Sequence, residues 1–384
     1  YEYTSSVDLY DKYLHRNVIF RDTGNLPNKV FSRIDSRDPE KLWDWMNELR
    51  SRGVESLAIP HNSNISGGAA FSLNDYNGGP IDEIYAKKRA LNEPLVEVTQ
   101  AKGTSETHPL LSMNDEWADF ETRTGITVTH SGINIEAEKD INNLRGGFVR
   151  NAYLRGLSFS DSGLTNPYKF GLIGSSDTHV AGGSYDEDTF FSKIGVLDGT
   201  PELRGSVPFN RFYGTIMRFY SPEGLQKIDG KNYLAVSNRL IHFSASGLAG
   251  VWAEENTRES IYDAFRRKET FATSGPRIKV RFFASQELED SGLDDPNLIR
   301  NAYAKGIPMG GTLLIKDNNP SFLIWAISDP LGAPLQRIQI VKGWIEEGEH
   351  REKVYDVACS NGLTVDPITN RCPDNGARVD LKNC

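Results

Sequence analysis

YKFGLIGSSDTH, residues 168–179, joins an apolar strand-like run to a carboxylate and an imidazole. Short apolar runs that end in turn residues read as buried strands. Side chains alternate along a strand with period two, so Asp177 and His179, spaced i and i+2, project to the same side of its end. Working outward, the same arrangement recurs. VESLAIPH (54–61) is a strand that closes on His61, LHRNVIF (14–20) is an alternating strand that carries His15, and the opening YEYTS carries Glu2. Between these runs lie helical patterns. PEKLWDWMNELRSRG (39–53) has Pro near its start and Gly53 past its end, the expected start and stop signals. Residues 80–94 and 141–160 read as further helices, 95–103 as a strand, and 259–271 as a last helix. The βαβαβαβ order predicts a parallel sheet or barrel.

The character changes after TSGPR. Residues 277–285, 311–317, 321–328, 337–344 and 352–358 read as short strands separated by turn signals, which predicts a smaller β-sandwich-like domain over 276–384 after an α/β domain over 1–275. The only cysteines, Cys359, Cys372 and Cys384, fall in this turn-rich tail without CxxC spacing, so they read as loop staples rather than a zinc knuckle. Staples favour an oxidising compartment, periplasmic or secreted; three reduced thiols in a cytoplasmic protein are the alternative. The 43 Lys and Arg against 52 Asp and Glu give a net charge of −9, with no basic stripe, which argues against nucleic-acid binding. No run approaches the ~18 apolar residues of a transmembrane helix. The chain opens on Tyr1 inside a strand-like run, which is expected of a piece of a longer protein.

Imidazoles and carboxylates gathered at strand ends suit Zn, Mn or Fe, and such ions make hydroxide available near neutral pH. Taken singly, each residue has an ordinary reading: Asp177 as a cap, His179 as a turn residue, His61 as a loop cap, His15 as a satisfied strand histidine. It is their joint placement that points to a metal centre. GxSxG, HExxH, P-loop and GxGxxG motifs are absent.

The runs YEYTSS, LHRNVIF, LAIPHNSN, EPLVEVTQAKGTSETHPLLS, ADFE, NPYKFGLIGSSDTH and ATSGPRI resemble the bacterial family called domain of unknown function 3604, within the polymerase-and-histidinol-phosphatase (PHP) superfamily. The resemblance extends over nearly the whole chain, RIQIVKGW included. It implies a distorted (β/α)7-type barrel with two or three divalent metal ions at its strand ends. The implied ligands are Glu2, His15, His61, Asp177 and His179. The superfamily's first H-x-H motif and the D-H pair after it have no counterpart here. That departure is read as truncation upstream of Glu2, the alternative being a degenerate site.

The expected activity is metal-dependent hydrolysis of phosphoesters of a small anionic substrate by a metal-bound hydroxide. In this reading Lys102 and Arg16 steer the anionic group, His108 protonates the leaving oxygen, and Asn62 and Glu106 contact substrate. Glu97 is placed to support a ligand from behind. The rival readings are a hydrolase of other esters or carbamates, a metal-dependent lyase, and a degenerate metal-stabilised binding module. Substrate, metal identity and oligomeric state have no readable code in the sequence.

Overall fold

The computed structural model describes residues 1–7, 12–122, 126–129, 132–135, 140–177, 200–202, 207–220, 222–234, 247–288, 292, 294–315 and 319–378. His130, His179, His242 and Cys384 lie outside the described residues. The first half runs β1 (Glu2–Tyr3), β2 (Arg16–Phe20), α1 (Pro39–Ser51), β3 (Ser56–Pro60), α2 (Glu83–Asn92), β4 (Leu95–Gln100), β5 (Gly103–Thr104), β6 (Ile126–Thr129), β7 (Gly132–Ile135), α3 (Ile141–Gly147), α4 (Val149–Asp161) and β8 (Gly171–Gly174). Then follow α5 (Arg211–Tyr220), β9 (Leu225–Ile228), β10 (Lys231–Leu234), β11 (Gly247–Val251), α6 (Arg258–Arg267) and β12 (Thr270–Ser274). The remainder is β13 (Lys279–Ser285), α7 (Leu298–Lys305), β14 (Ile307–Pro308), β15 (Ser321–Ile327), β16 (Arg337–Glu346) and β17 (Glu349–Cys359).

Local chemistry accounts for the helix ends. Asp38 caps α1 by accepting from the Glu40 amide at 2.8 Å, Pro39 opens the helix, and Gly53 leaves it with φ +82°. Asp82 caps α2 through the Tyr85 amide at 2.8 Å. The single helix expected over 141–160 is two, because the extended Phe148 (φ −115°, ψ 140°) interrupts it after Gly146 and Gly147. Those glycines follow from packing. A Cβ on Gly146 would lie 2.1 Å from the carbonyl oxygen of Gly68, whose own φ is +84°. The helix expected through residue 271 stops at Arg267, where Lys268 turns left-handed (φ 63°), and Thr270–Ser274 become a strand.

Three sheets frame the first half. β1, β2 and β3 form one, with both pairs antiparallel. In the second, β4 pairs with β5 antiparallel and with β8 parallel, and the only other parallel pairing among the described residues is the isolated bridge between Thr104 and Thr122. β11 and β12 pair antiparallel and pack on β8, with the Gly247 amide donating to the Ser175 carbonyl at 2.8 Å. Element order predicts parallel pairing, but among the described residues most strand pairs are antiparallel, β2 and β3 among them although α1 lies between the two in sequence.

Alternation divides the buried residues. Tyr3, Val18 and Ala58 face α1 and pack on Leu42, Trp43 and Met46. On the opposite face Leu57 and Ile59 meet Leu95, Ile173 and Tyr262. Val96 and Val98, on the other side of β4, pack with Val149, Ala152, Tyr168 and Phe170.

The C-terminal part is not purely β, since α7 interrupts its strands, and no strand forms over 311–315. β16 and β17 form a hairpin with a two-residue turn, Glu347 (φ 53°) and Gly348 (φ +79°), the primed geometry that matches strand twist. The hairpin packs on α4, where Ser158 Oγ meets His350 Nε2 at 2.6 Å. Cys359 and Cys372 form a disulfide. Buried Asp356 ties the same tail together by accepting from the Cys372 amide at 2.7 Å, Gln339 at 2.8 Å and Arg337 at 3.1 Å. No described helix is long and apolar enough to cross a membrane.

Candidate metal centre

The first sheet gathers three donors at one edge. Arg16 pairs with Pro60, and the ladder runs one step further through the His61 amide, which donates to the His15 carbonyl at 3.3 Å. His15 and His61 are thereby opposite each other. Glu2 pairs with Asn17, so period-two alternation turns Glu2, His15 and His61 to one face. It is the face that carries Leu57 and Ile59 inward. His15 reaches this edge from the start of β2 rather than its end, because β2 runs antiparallel to β3.

Glu2 Oε1 lies 3.0 Å from His15 Nδ1 and 3.4 Å from His61 Nε2. One donor atom from each of the three residues falls within 4.8 Å of the others. The Glu2 side chain is 31% exposed and that of His61 only 4%, so the cluster opens to solvent on one side. Hydrogen bonds from His15 and then His61 hold the Glu2 carboxyl far below its ordinary range. Burial pulls the His15 imidazole down, with His61 and Lys102 adding to the effect against Glu2. Burial also pulls on His61, but the Glu2 hydrogen bond and the charges of Glu97, Glu2 and Asp177 outweigh it and raise this imidazole.

The donor set fits a divalent cation. One carboxylate and two imidazoles are ligands of Zn, Mn and Fe. His61 Nδ1 and Asn62 Oδ1 are both buried without a hydrogen-bond partner, and buried polar atoms are costly to leave so. Asn62, at φ 58°, turns the chain sharply after β3.

A second layer comes from the other sheet. Glu97 on β4 faces inward with Leu95 and is 2% exposed. Its Oε1 accepts from the Asn62 amide at 3.4 Å and its Oε2 accepts from Ser175 Oγ. Burial raises the Glu97 carboxyl. Beyond β8, Asp177 adopts φ 55° and accepts a hydrogen bond from Lys102 Nζ. Ser175 was not singled out in the sequence, although it precedes Asp177 by two residues and shares its strand period. Tyr13, whose ring stands 4.7 Å from His15, carried no signal at all.

The sequence-predicted residues thus divide. Glu2, His15 and His61 come together, Asn62 adjoins them, and Lys102 and Asp177 lie within electrostatic reach as a pair. Asp177 is outside the 4.8 Å cluster, and His179 falls outside the described residues. Arg16 is not brought to the centre. Alternation places it on the α1 face, 2% exposed, with Nε donating to Glu93 at 2.8 Å. Glu106 is engaged by Arg150 at 2.5 Å. His108 accepts from the Leu110 amide through Nδ1 at 3.2 Å and stands against the Phe148 ring.

The family model described as "Protein of unknown function (DUF3604)" matches residues 1–384. No curated protein and no solved structure matches the chain. On its full-length match, the chain belongs to the DUF3604 family.

Proposed function

We propose that this protein is a metal-dependent hydrolase of the PHP type, acting on phosphoesters. The observation that carries the reading is the Glu2, His15 and His61 cluster, with the buried His61 Nδ1 left without a partner. Two or three ions of Zn, Mn or Fe are the group this reading requires, and the described donors would hold one of them. A divalent cation supplies Lewis acidity suited to attack of water on a phosphoester near neutral pH. The chain's own residues hold and orient. Glu2 bridges the two imidazoles, and Glu97 fixes the Asn62 backbone and Ser175 behind them. Lys102 holds Asp177 at the end of β8. The Leu110 amide donates to His108 Nδ1, which leaves Nε2–H of the neutral ring as the group that would donate a hydrogen bond to a leaving oxygen.

In the same reading the sheets of the first half are an arc of a distorted (β/α)7 barrel, followed by the β-rich segment from 276. Leu57, Ile59, Leu95 and Ile173, which share the inward face of the cluster, support it. The Cys359–Cys372 disulfide supports a periplasmic or secreted location. One contact favours the rival reading of a metal-stabilised binding module: the Lys102 ammonium seated on Asp177, an expected ligand.

The test is elemental analysis after dialysis against Mn or Zn, for the wild type and for His15→Ala with His61→Ala. At least one equivalent in the wild type, lost in the variant with the fold retained by circular dichroism, is the expected result. Zero uptake by the wild type sinks the proposal. Loaded protein is then offered 4-nitrophenyl phosphate, bis(4-nitrophenyl) phosphate and 4-nitrophenyl acetate. Turnover of the acetate alone moves the reading to the non-phosphate ester hydrolase, and no turnover with metal bound moves it to the binding module.

A further inference from the structure

A cavity of about 690 Å³ opens between α3, α4, the loop at 110–115 and the β16–β17 hairpin, and none of Glu2, His15 or His61 lines it. Its size falls within the roughly 300–1,000 Å³ of small-molecule sites. Its lining combines two kinds of side chain. Leu73, Leu110, Leu111, Ile141 and Leu154 are apolar, with Leu73 and Leu110 about half exposed. Arg145, Arg155, His350 and Lys353 are basic, and Arg145 stands one turn from Ile141 on α3 while Arg155 follows Leu154 on α4, so basic and apolar groups lie side by side.

The carboxylates of the wall are largely committed elsewhere. Asp115 is bound by Arg150 at 2.7 Å, and Glu352 accepts from Ser112 at 2.7 Å and lies 3.6 Å from Arg150. Glu349 remains, at the rim beside His350. Arg155 donates through Nη1 to the Phe71 carbonyl, and among the described residues neither Arg155 nor Arg145 has a carboxylate partner. Burial and the two guanidiniums pull the His350 imidazole down, and burial with Arg145 does the same to Arg155. Like charges gathered without counter-charge repel, and an anion placed between them relieves that repulsion.

We propose that this cavity binds a small amphipathic anion, its carboxylate or sulfate headgroup held between Arg145 and Arg155 and its apolar body laid against Leu110, Leu111 and Leu154. The assignment is independent of the metal centre, and the probes leave out phosphate so as not to engage that centre.

The experiment is isothermal titration of the full chain with octanoate and with octyl sulfate below its micelle concentration, beside octanol and inorganic sulfate. Saturable one-site binding of one or both amphiphiles is expected, with the tighter one identifying the headgroup. Octanol and inorganic sulfate should each bind at least about tenfold more weakly, since a charge-assisted hydrogen bond and the apolar body each contribute more than one factor of ten. Arg155→Gln with Arg145→Gln should weaken octyl sulfate by at least about tenfold. Should loss of the Arg155–Phe71 bond unfold that variant, Arg145→Gln with Lys353→Gln, both exposed, carries the same expectation. Absence of saturable binding, equal affinity for octanol or inorganic sulfate, or unchanged affinity in the folded variants would overturn the proposal.

Discussion

Removing the charge of Glu93 should destabilise the protein more than almost any surface change, while leaving the metal centre's donors in place. Glu93, Arg16 and Arg89 are 1%, 2% and 1% exposed. Glu93 Oε1 accepts from Arg16 Nε at 2.8 Å and from Trp43 Nε1 at 2.9 Å, and Oε2 lies 3.0 Å from Arg89 Nε. Arg89 also lies over the Tyr168 ring at 4.7 Å. Glu93→Gln keeps the shape but strands two buried guanidiniums, so the expected cost is about 3–5 kcal/mol. Arg16→Met leaves Glu93 with Arg89 and Trp43 and should cost less, about 2 kcal/mol. Because the residues share one network, the double variant should fall short of additivity by roughly 0.5–3 kcal/mol. Urea unfolding followed by tryptophan fluorescence measures all three. The same network gives a pH dependence. Burial pushes the Glu93 carboxyl up, yet Arg16 and Arg89 outweigh it and hold it below its ordinary value of 4.5. Its stabilisation is therefore complete above pH 4.5 and is lost as pH falls through the folded value, a loss that Glu93→Gln should abolish. A cost under about 1 kcal/mol for Glu93→Gln would refute this account. So would an Arg16→Met protein of wild-type stability that had lost its metal, which would return Arg16 to the centre.

Two further expectations concern packing and covalent closure. Opening the Cys359–Cys372 bridge, 13 residues apart, by dithiothreitol or by paired Cys→Ser changes should cost up to about 3 kcal/mol, read as loss of hydrogen-exchange protection in β16 and β17; unchanged protection would show the Asp356 cluster to suffice alone. Gly146→Ala drives a methyl into the Gly68 carbonyl and should lower stability by about 1–3 kcal/mol, whereas Gly24→Ala, with open space around it, should stay within about 0.5 kcal/mol; equal melting temperatures would contradict the close approach.

The sequence by itself determined the local elements and the donor types. Strand and helix positions follow from hydrophobic period, caps and glycines, and each acts over a few residues: Asp38 with Pro39, Asp82, and the glycines after α1 and in the hairpin turn. The same local rules make His61 close a strand and put Asp177 two residues beyond Ser175. Only the tertiary structure decided which strands are neighbours. Antiparallel pairing of β2 with β3 sets His15 against His61, and the register of β1 brings Glu2 between them. The same register sends Arg16, adjacent to His15 in sequence, to the opposite face and into a buried ion pair. Sheet register is a long-range property, fixed by which apolar faces can be buried together, and a shift of one residue would exchange His15 for Arg16. That is why the sequence supplied the donors of the centre while pairing alone selected which of them meet.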